Sequence, residues 1–459
     1  MAEIAHDALG SATGPIEAGG RPTADLPIGH LVRISLYWLG LTAIDGAVGV
    51  FTQNRLNFDG FAPELEVGRI LFLLSIPVAV LSILIQPTVG AISDYTVSRW
   101  GRRKPFIVFG SLLDLVFLAG IATANNVLIL GVFASLLAIS TNIARGPFQG
   151  YVPDLIAERQ VGMASALVGL MQILGNVTGF LLVTIAVSFH RMELAIAGVA
   201  IVELITMAAV VLRVSPGVPP LDREGRSWPA IAKTAWGTDI LRERSYVWLV
   251  ASRLFFLMGG AMLVNLVITY LKQTHHLSKE AANGTNVIIL VIIVIANLIA
   301  IIPSARISDR IGRKPVIYAS CVVGGIGLLI AALTPAVPVA EAAKGAVPIG
   351  VFVGSFLFGA SAGTFLAVDW ALITDIIPRA SSGRYMGLSN VATGSSTVFA
   401  VMTGGLVLDF VNNVFGLGQG PRAAYLLGAA YYVVAMICLR PVVEPDRRSK
   451  TREAAAAAA

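Results

Sequence analysis

Twelve runs of about 20 apolar residues recur along this chain, at roughly 31–51, 70–92, 105–124, 127–147, 162–188 and 193–212, then 246–271, 285–305, 315–334, 349–373, 385–410 and 421–441. A helix rises about 1.5 Å per residue, so each run is about 30 Å long, the thickness of a bilayer's hydrocarbon core. Composition agrees: of 459 residues, 56% are hydrophobic and only 13% charged. A soluble domain has no use for that much apolar surface, so lipid is the solvent for most of the chain. The expected fold class is an all-α membrane protein with twelve transmembrane helices.

The connections between runs carry the next constraint. Residues 86–107 read QPTVGAISDYTVSRWGRRKPFI, a knot of positive charge between two membrane-length runs. Residues 303–315 read PSARISDRIGRKP and repeat the same grammar. Asp94, Gly101, Arg102, Arg103 and Lys104 in the first loop thus have counterparts in Asp309, Gly312, Arg313 and Lys314, with Arg99 and Arg310 as further charges. Asp154 precedes Gly162 by eight residues, and Asp375 precedes Gly383 by eight. Trp38-Leu39 and Trp248-Leu249 lie at similar places in the first and seventh runs. A loop duplicated in two halves of a hydrophobic chain predicts two pseudo-symmetric six-helix bundles. The expected organisation is a tail over 1–30, a first bundle over 31–212, a polar linker over 213–245, a second bundle over 246–441 and a tail from 442. The first stretch shows no apolar core behind a basic segment, so no cleavable signal is expected. The run of alanines over 454–459 carries no fold information.

The formal net charge of +6 raises the question of a nucleic-acid partner. Its distribution answers it. About 25 of the 33 Lys and Arg fall in the tails, the linker and the loops on one side, and about seven on the other. That asymmetry marks the cytoplasmic face, so both termini and the linker are expected in the cytoplasm. Cys321 and Cys438 lie in separate apolar runs and suggest neither a disulfide nor a zinc site. The five histidines form no metal pattern, and the adjacent His275 and His276 are expected to be solvated in an outer loop. No phosphate-binding loop is present, so ATP-driven transport has no support. Neither an enzyme activity nor a cofactor is expected.

Both basic loops resemble the signature of the major facilitator superfamily. Gln86-Pro87, Val89-Gly90, Ser93-Asp94, Ser98-Arg99 and the stretch 101–107 resemble more narrowly the sucrose–proton symporters and the related glycoside–pentoside–hexuronide group. Gly146-Pro147 with Asp154, and the stretch 368–371, are further similarities. The resemblance implies the major facilitator fold and proton-coupled sugar or glycoside transport. Two positions depart from the family pattern. Gln149 stands where those symporters place an arginine, and Ala138 where they place a proton-coupling aspartate on the fourth helix, although Asn142 matches.

The resemblance also implies that the first, fourth, seventh and tenth helices line a central cavity. Each of these runs holds a charge: Asp45, Arg145, Arg253 and Asp369. A charge within a span costs a few kcal/mol against lipid, so the four should meet water or one another. Asp45 is the first candidate for proton coupling, with Arg253 as its modulator, and Asp369 the second. Tyr37, Trp38, Asn142, Arg145, Gln172, Asn176, Arg253, Asn265, Trp370 and Asn390 are the substrate-cavity candidates, offering amides and flat rings suited to a sugar. Asp114 and Glu203 are expected to serve helix pairing, and Gly175 and Gly179 close helix packing. Asp94, Arg99, Gly101, Arg102, Arg103, Lys104, Asp154, Asp309, Arg310, Gly312, Arg313, Lys314 and Asp375 are assigned to cytoplasmic gating, with Asp94 facing the start of the eleventh helix. The expected function is proton-coupled symport of a sugar or glycoside by a monomer in the cell membrane. Proton-driven efflux of an amphipathic compound and a non-transporting scaffold on the same fold stay open as alternatives.

Overall fold

The computed structural model describes residues 25–157, 160–214, 222–223, 225–234, 243–376 and 382–443. Twelve of its helices are long and apolar enough to cross a membrane. In the first half they are α1 (Ile28–Phe58), α2 (Val67–Asp94), α3 (Lys104–Thr123), α4 (Val127–Gln149), α5 (Val161–Ser188) and α6 (Glu193–Arg213). In the second they are α7 (Arg244–Gln273), α8 (Lys279–Ile311), α9 (Arg313–Leu333), α10 (Ile349–Ile376), α11 (Ser382–Phe415) and α12 (Gln419–Leu439). No strand occurs among the described residues.

Packing follows the repeat. α1 packs on α5 and α6, α2 on α4, and α3 on α4 and α6. The second half reproduces this, with α7 on α11 and α12, α8 on α10, and α9 on α10 and α12. Between bundles α1 meets α7, while α2 meets α11 and α5 meets α8, a reciprocal pair under the same two-fold. Small residues set the closest approaches. A Cβ on Gly175 would lie 2.4 Å from the carbonyl oxygen of Leu39, and one on Gly179 2.3 Å from that of Ala43. The small-residue spacing in α5 therefore seats it on α1, as expected of such stripes.

The duplicated basic loop has a shared structural task. Lys104 Nζ donates to the carbonyls of Val211 and Val214, both at 2.7 Å. Lys314 Nζ donates to those of Arg440 at 2.7 Å and Val442 at 2.8 Å. Each lysine thus binds the last helix of its own bundle at its C-terminus, where carbonyls lack helical partners and partial negative charge collects. Gly101 and Gly312 turn the two loops at φ of +91° and +97°, backbone that a side chain would strain.

At the opposite end the spans run longer than hydropathy suggests. α1 continues to Phe58 rather than stopping near 51, α8 starts at Lys279 rather than near 285, and α11 reaches Phe415 rather than 410. The reason is what the polar residues there do. Asn54 and Asn283 exchange two hydrogen bonds of 3.0 and 2.8 Å between α1 and α8. Asn57 donates to Thr269 at 2.9 Å, and Gln53 accepts from the Ile268 amide at 3.2 Å. Lys279 pairs with Asp59 at 2.7 Å and Lys272 with Glu64 at 2.9 Å. The Asp409 carboxylate of α11 accepts from the Gly68 amide at 2.8 Å and from the Arg69 amide, capping the first turn of α2. These side chains read as loop because they are polar, yet they latch one bundle to the other. A Cβ on Gly405 would lie 2.4 Å from the Gly68 carbonyl oxygen, so α2 and α11 cross here almost backbone to backbone.

His275, between α7 and α8, departs from the solvated loop expected. It has no exposed surface and its ring meets Tyr270 edge to face at 4.8 Å, while His276 beside it is exposed. Burial pushes His275 down to about 4, and Arg422 and His276 add to the effect.

Two outcomes follow from the far end. Gly405→Val overpacks the α2–α11 crossing at a cost of about 1–3 kcal/mol, so it should lower the melting temperature and raise thiol labelling of a cysteine at Thr285, which is buried on α8 two residues past Asn283. Unchanged melting and labelling would contradict the close crossing. His275 is neutral in the folded chain down to about 4, whereas the unfolded chain takes its proton near the ordinary 6.5. Its contribution is therefore complete above about pH 6.5 and declines as pH falls toward 4. His275→Phe should flatten the stability profile across that window; an unaltered profile would show that His275 does not set it.

Candidate functional site

The four charges inside the spans form two ion pairs, each within one bundle. Asp45 of α1 accepts from Arg145 Nη2 of α4 at 2.7 Å. Arg253 of α7 meets Asp369 of α10 at 2.8 Å, and its Nε donates to Thr393 of α11 at 3.1 Å. The repeat relates α1 to α7 and α4 to α10, so the two pairs occupy matching places with the signs reversed. This corrects the expectation that Arg253 modulates Asp45: Arg145 holds that carboxylate, and Arg253 holds Asp369. The physical reason is proximity within a bundle, since a charge in a span takes the nearest opposite charge that packing brings to it.

The pairs differ in access to water. The Asp369 and Arg253 side chains are 2% and 6% exposed. Asp45 is 48% exposed and Arg145 17%, midway along otherwise well-buried α1. Asp45 is thus open at the surface of the protein, whereas Asp369 is closed off.

Around Asp45, α1 is stripped of side chains. Gly46 lets α5 approach so that a Cβ there would be 3.0 Å from the Asn176 carbonyl oxygen. Asn265 Oδ1 of α7 lies 4.0 Å from where a Cβ on Gly49 would stand. Asn176 and Asn265 thus flank the same stretch of α1 from the two bundles. Each amide nitrogen donates to a carbonyl one turn back, Asn176 to Gln172 at 3.1 Å and Asn265 to Ala261 at 3.0 Å. Gln172 also accepts from Thr42 at 3.1 Å through its carbonyl.

Other candidates fall elsewhere. Tyr37 has no exposed surface, and its hydroxyl lies 2.5 Å from Ser111 and 3.3 Å from Glu203, so it serves α3 and α6 rather than the space beside Asp45. Trp38 is 9% exposed and packs on Phe148. Asn142 ties α4 to α2, donating to Ser82 at 3.0 Å as well as to the Ala138 carbonyl at 2.7 Å. The side chains of Trp370 and Asn390 lie outside the described residues.

At the basic end, Asp154 accepts from Arg102 Nη2 at 2.7 Å and from Arg103 Nε at 2.6 Å. Arg103 also donates to the Pro147 carbonyl at 3.1 Å, and a Cβ on Gly150 would sit 2.0 Å from its guanidinium. Asp94 joins the same cluster, 3.1 Å from Arg103 and 3.7 Å from Arg102. Asp94 is thus engaged by its own bundle's loop; the side chains at the start of α11, which it was expected to face, lie outside the described residues. Arg99 is exposed and stacks over Trp100 at 5.9 Å, and Arg310 is exposed, while Arg313 is buried. The side chains of Asp309 and Asp375 lie outside the described residues.

Sequence reasoning missed Thr393, which Arg253 needs as a neutral acceptor, and the far-end polar residues. A signal existed for the latter: Gln53, Asn54, Asn57, Asn283 and Asp409 all sit at the same end of their spans.

A family model described as Major Facilitator Superfamily matches residues 34–337 and 255–459. The Arabidopsis thaliana sucrose transport protein SUC3 is 30% identical over 122 residues, 21% of this chain and 20% of that protein. The general alpha-glucoside permease of Schizosaccharomyces pombe is 35% identical over 116 residues, 22% of this chain and 21% of that protein. The matched stretch spans about a fifth of the length of these relatives. Among solved structures, a point mutant of the nucleoside transporter NupG superposes with a TM-score of 0.66 at 13% identity, covering 90% of this chain and 99% of that one. A bacterial homologue of the human lysosomal transporter Spinster gives 0.62 at 12%, covering 90% and 94%. At such identities the structures share the fold.

The contrast in burial sets a stability order. Removing one partner of a buried pair strands a charge and costs about 3–5 kcal/mol, whereas a half-exposed pair contributes about 0–1 kcal/mol. Asp369→Asn should therefore lower the unfolding temperature in detergent well below that of Asp45→Asn. Equal losses, or the reverse order, would contradict the assigned burial.

Proposed function

The chain belongs to the Major Facilitator Superfamily, a multi-pass membrane transporter, and on that footing we propose that it is a proton-coupled symporter of a sugar or glycoside. The observation that carries the reading is the half-exposed Asp45–Arg145 pair, its acid midway along α1 and its base near the C-terminal end of α4. A proton arriving at Asp45 cancels its attraction to the guanidinium and releases Arg145. Two protonation states of one residue thus correspond to two arrangements of α1 against α4. A proton can be loaded on one side and unloaded on the other if the surrounding bundles alternate.

The bundles supply the alternation. We assign the basic end to the cytoplasm, because Lys and Arg concentrate there, and with it the termini and the linker of a cell-membrane protein. The latch of Asn54, Asn57, Asn283, Lys279 and Asp409 then closes the outer face, and in this reading the half-exposed Asp45 opens inward. Asn176 and Asn265 stand next to the pair from opposite bundles, where the amide groups can bind hydroxyls and feel the rearrangement. The sugar class rests on this polar setting and on the relatives' names, sucrose transport protein and alpha-glucoside permease. Ala138, standing where the resembled symporters place an acid, leaves the coupling role to α1.

Asp45→Asn keeps the side chain's volume and hydrogen-bonding capacity without the titrating proton. In proteoliposomes it should abolish accumulation of sucrose or maltose driven by an inward pH gradient, yet retain sugar exchange at equal concentrations on both sides. Gradient-driven accumulation at the wild-type level would remove Asp45 from the mechanism.

A further inference from the structure

The first bundle buries two carboxyls that the coupling account leaves idle. Asp114 of α3 and Glu203 of α6 have no exposed surface. They lie within hydrogen-bonding reach of each other. Among the described residues neither has a lysine or arginine at ion-pair distance, and Arg145, the basic group that acts on Asp114 from further off, is taken by Asp45.

Hydroxyls surround the pair. Ser140 and Thr141 of α4 both donate to Asp114 Oδ1, Thr141 at 2.9 Å. The Tyr37 hydroxyl of α1 donates to Glu203 Oε1 at 3.3 Å and lies 2.5 Å from Ser111, one turn before Asp114 on α3. The titratable or charged groups facing the pair are therefore Tyr37 from α1 and Arg145 from α4. One oxygen on each acid, Asp114 Oδ2 and Glu203 Oε2, is buried and has no donor.

Two ionised carboxylates cannot stay in contact in so dry a place without a cation between them. A single proton resolves the conflict, because a carboxyl donating to a carboxylate makes a strong charge-assisted hydrogen bond. The two orphaned oxygens mark where it belongs. We propose that Asp114 and Glu203 bind one proton between them, a second proton site in the first bundle that is separate from Asp45. The site joins α1, α3, α4 and α6 through Tyr37, Ser111, Ser140 and Thr141, one helical turn from Arg145. With no solvent access the proton stays in place while Asp45 loads and unloads. The proposal stands whether or not transport is proton-coupled.

Infrared spectroscopy of the purified full chain reads the site directly, since only a protonated carboxyl gives a C=O stretch at frequencies above the amide and carboxylate bands. At pH 8, without sodium, that band is expected in the wild type and in Asp45→Asn and Asp369→Asn. Asp114→Asn and Glu203→Gln should each remove the whole band, because the amide then donates to the remaining carboxylate and no proton is needed. A half-sized loss in each would mean two independently protonated acids and would overturn the shared proton. So would absence of the band in the wild type, or its disappearance on adding sodium chloride at constant pH, which would assign the site to a metal cation. Should the amide variants not fold, Thr141→Val keeps both acids while removing one donor. It should retain the band at a shifted frequency, and an unshifted band would overturn the assignment.

Discussion

A charged side chain inside a membrane span costs about 2.5–3.5 kcal/mol even on lenient scales, and the whole structure is arranged around that cost. Asp45 meets Arg145, Asp369 meets Arg253, and the Asp154 carboxylate takes up both Arg102 and Arg103. Each of these pairings lies within a single bundle. The contacts that cross between bundles are of a weaker kind: amide and backbone hydrogen bonds, worth about 0.5–1.5 kcal/mol each, and partly exposed ion pairs such as Lys279–Asp59. The most deeply buried ties, Asp369 to Arg253 and Asp154 to Arg102 and Arg103, thus lie inside bundles, a division that suits the proposed separation of the two bundles at one end.

The duplicated half explains why so few residue types suffice. Lys104 and Lys314 do the same work on α6 and α12, and left-handed glycines turn both loops. The repeat is broken in the charge pairs. Acid on α1 and base on α4 become base on α7 and acid on α10, and only the first pair is half-exposed. The first bundle thus carries a half-exposed pair, and the second a buried one that holds α7, α10 and α11 together through Thr393.

Most of the fold was legible because a bilayer leaves few options: apolar length, loop charge and the repeated motif each point to twelve helices in two bundles. The ends of the spans were less legible. Hydropathy treats Asn54, Asn57 and Asn283 as loop, although each is helical and consumed by a contact with the other bundle. The membership of the site was legible in part. Asp45, Arg145, Arg253 and Asp369 stand out as charges within apolar runs, but which acid meets which base depends on helix rotation, and so Arg253 was assigned to the wrong acid. Tyr37 and His275 mislead for a related reason: a polar tip on an aromatic body suits a wet cavity or a dry packed site equally well, and only the neighbours, Glu203 in one case and Tyr270 in the other, decide.

The central claim is that sugar and proton cross together. It is tested most directly in proteoliposomes suspended in weakly buffered medium, by following external pH as an outward-to-inward gradient of sucrose or maltose is imposed with the membrane potential clamped. The account predicts alkalinisation of the medium that starts with sugar entry, scales with its rate and disappears when a protonophore is added. Sugar entry with no change in external pH, or with acidification, would contradict it.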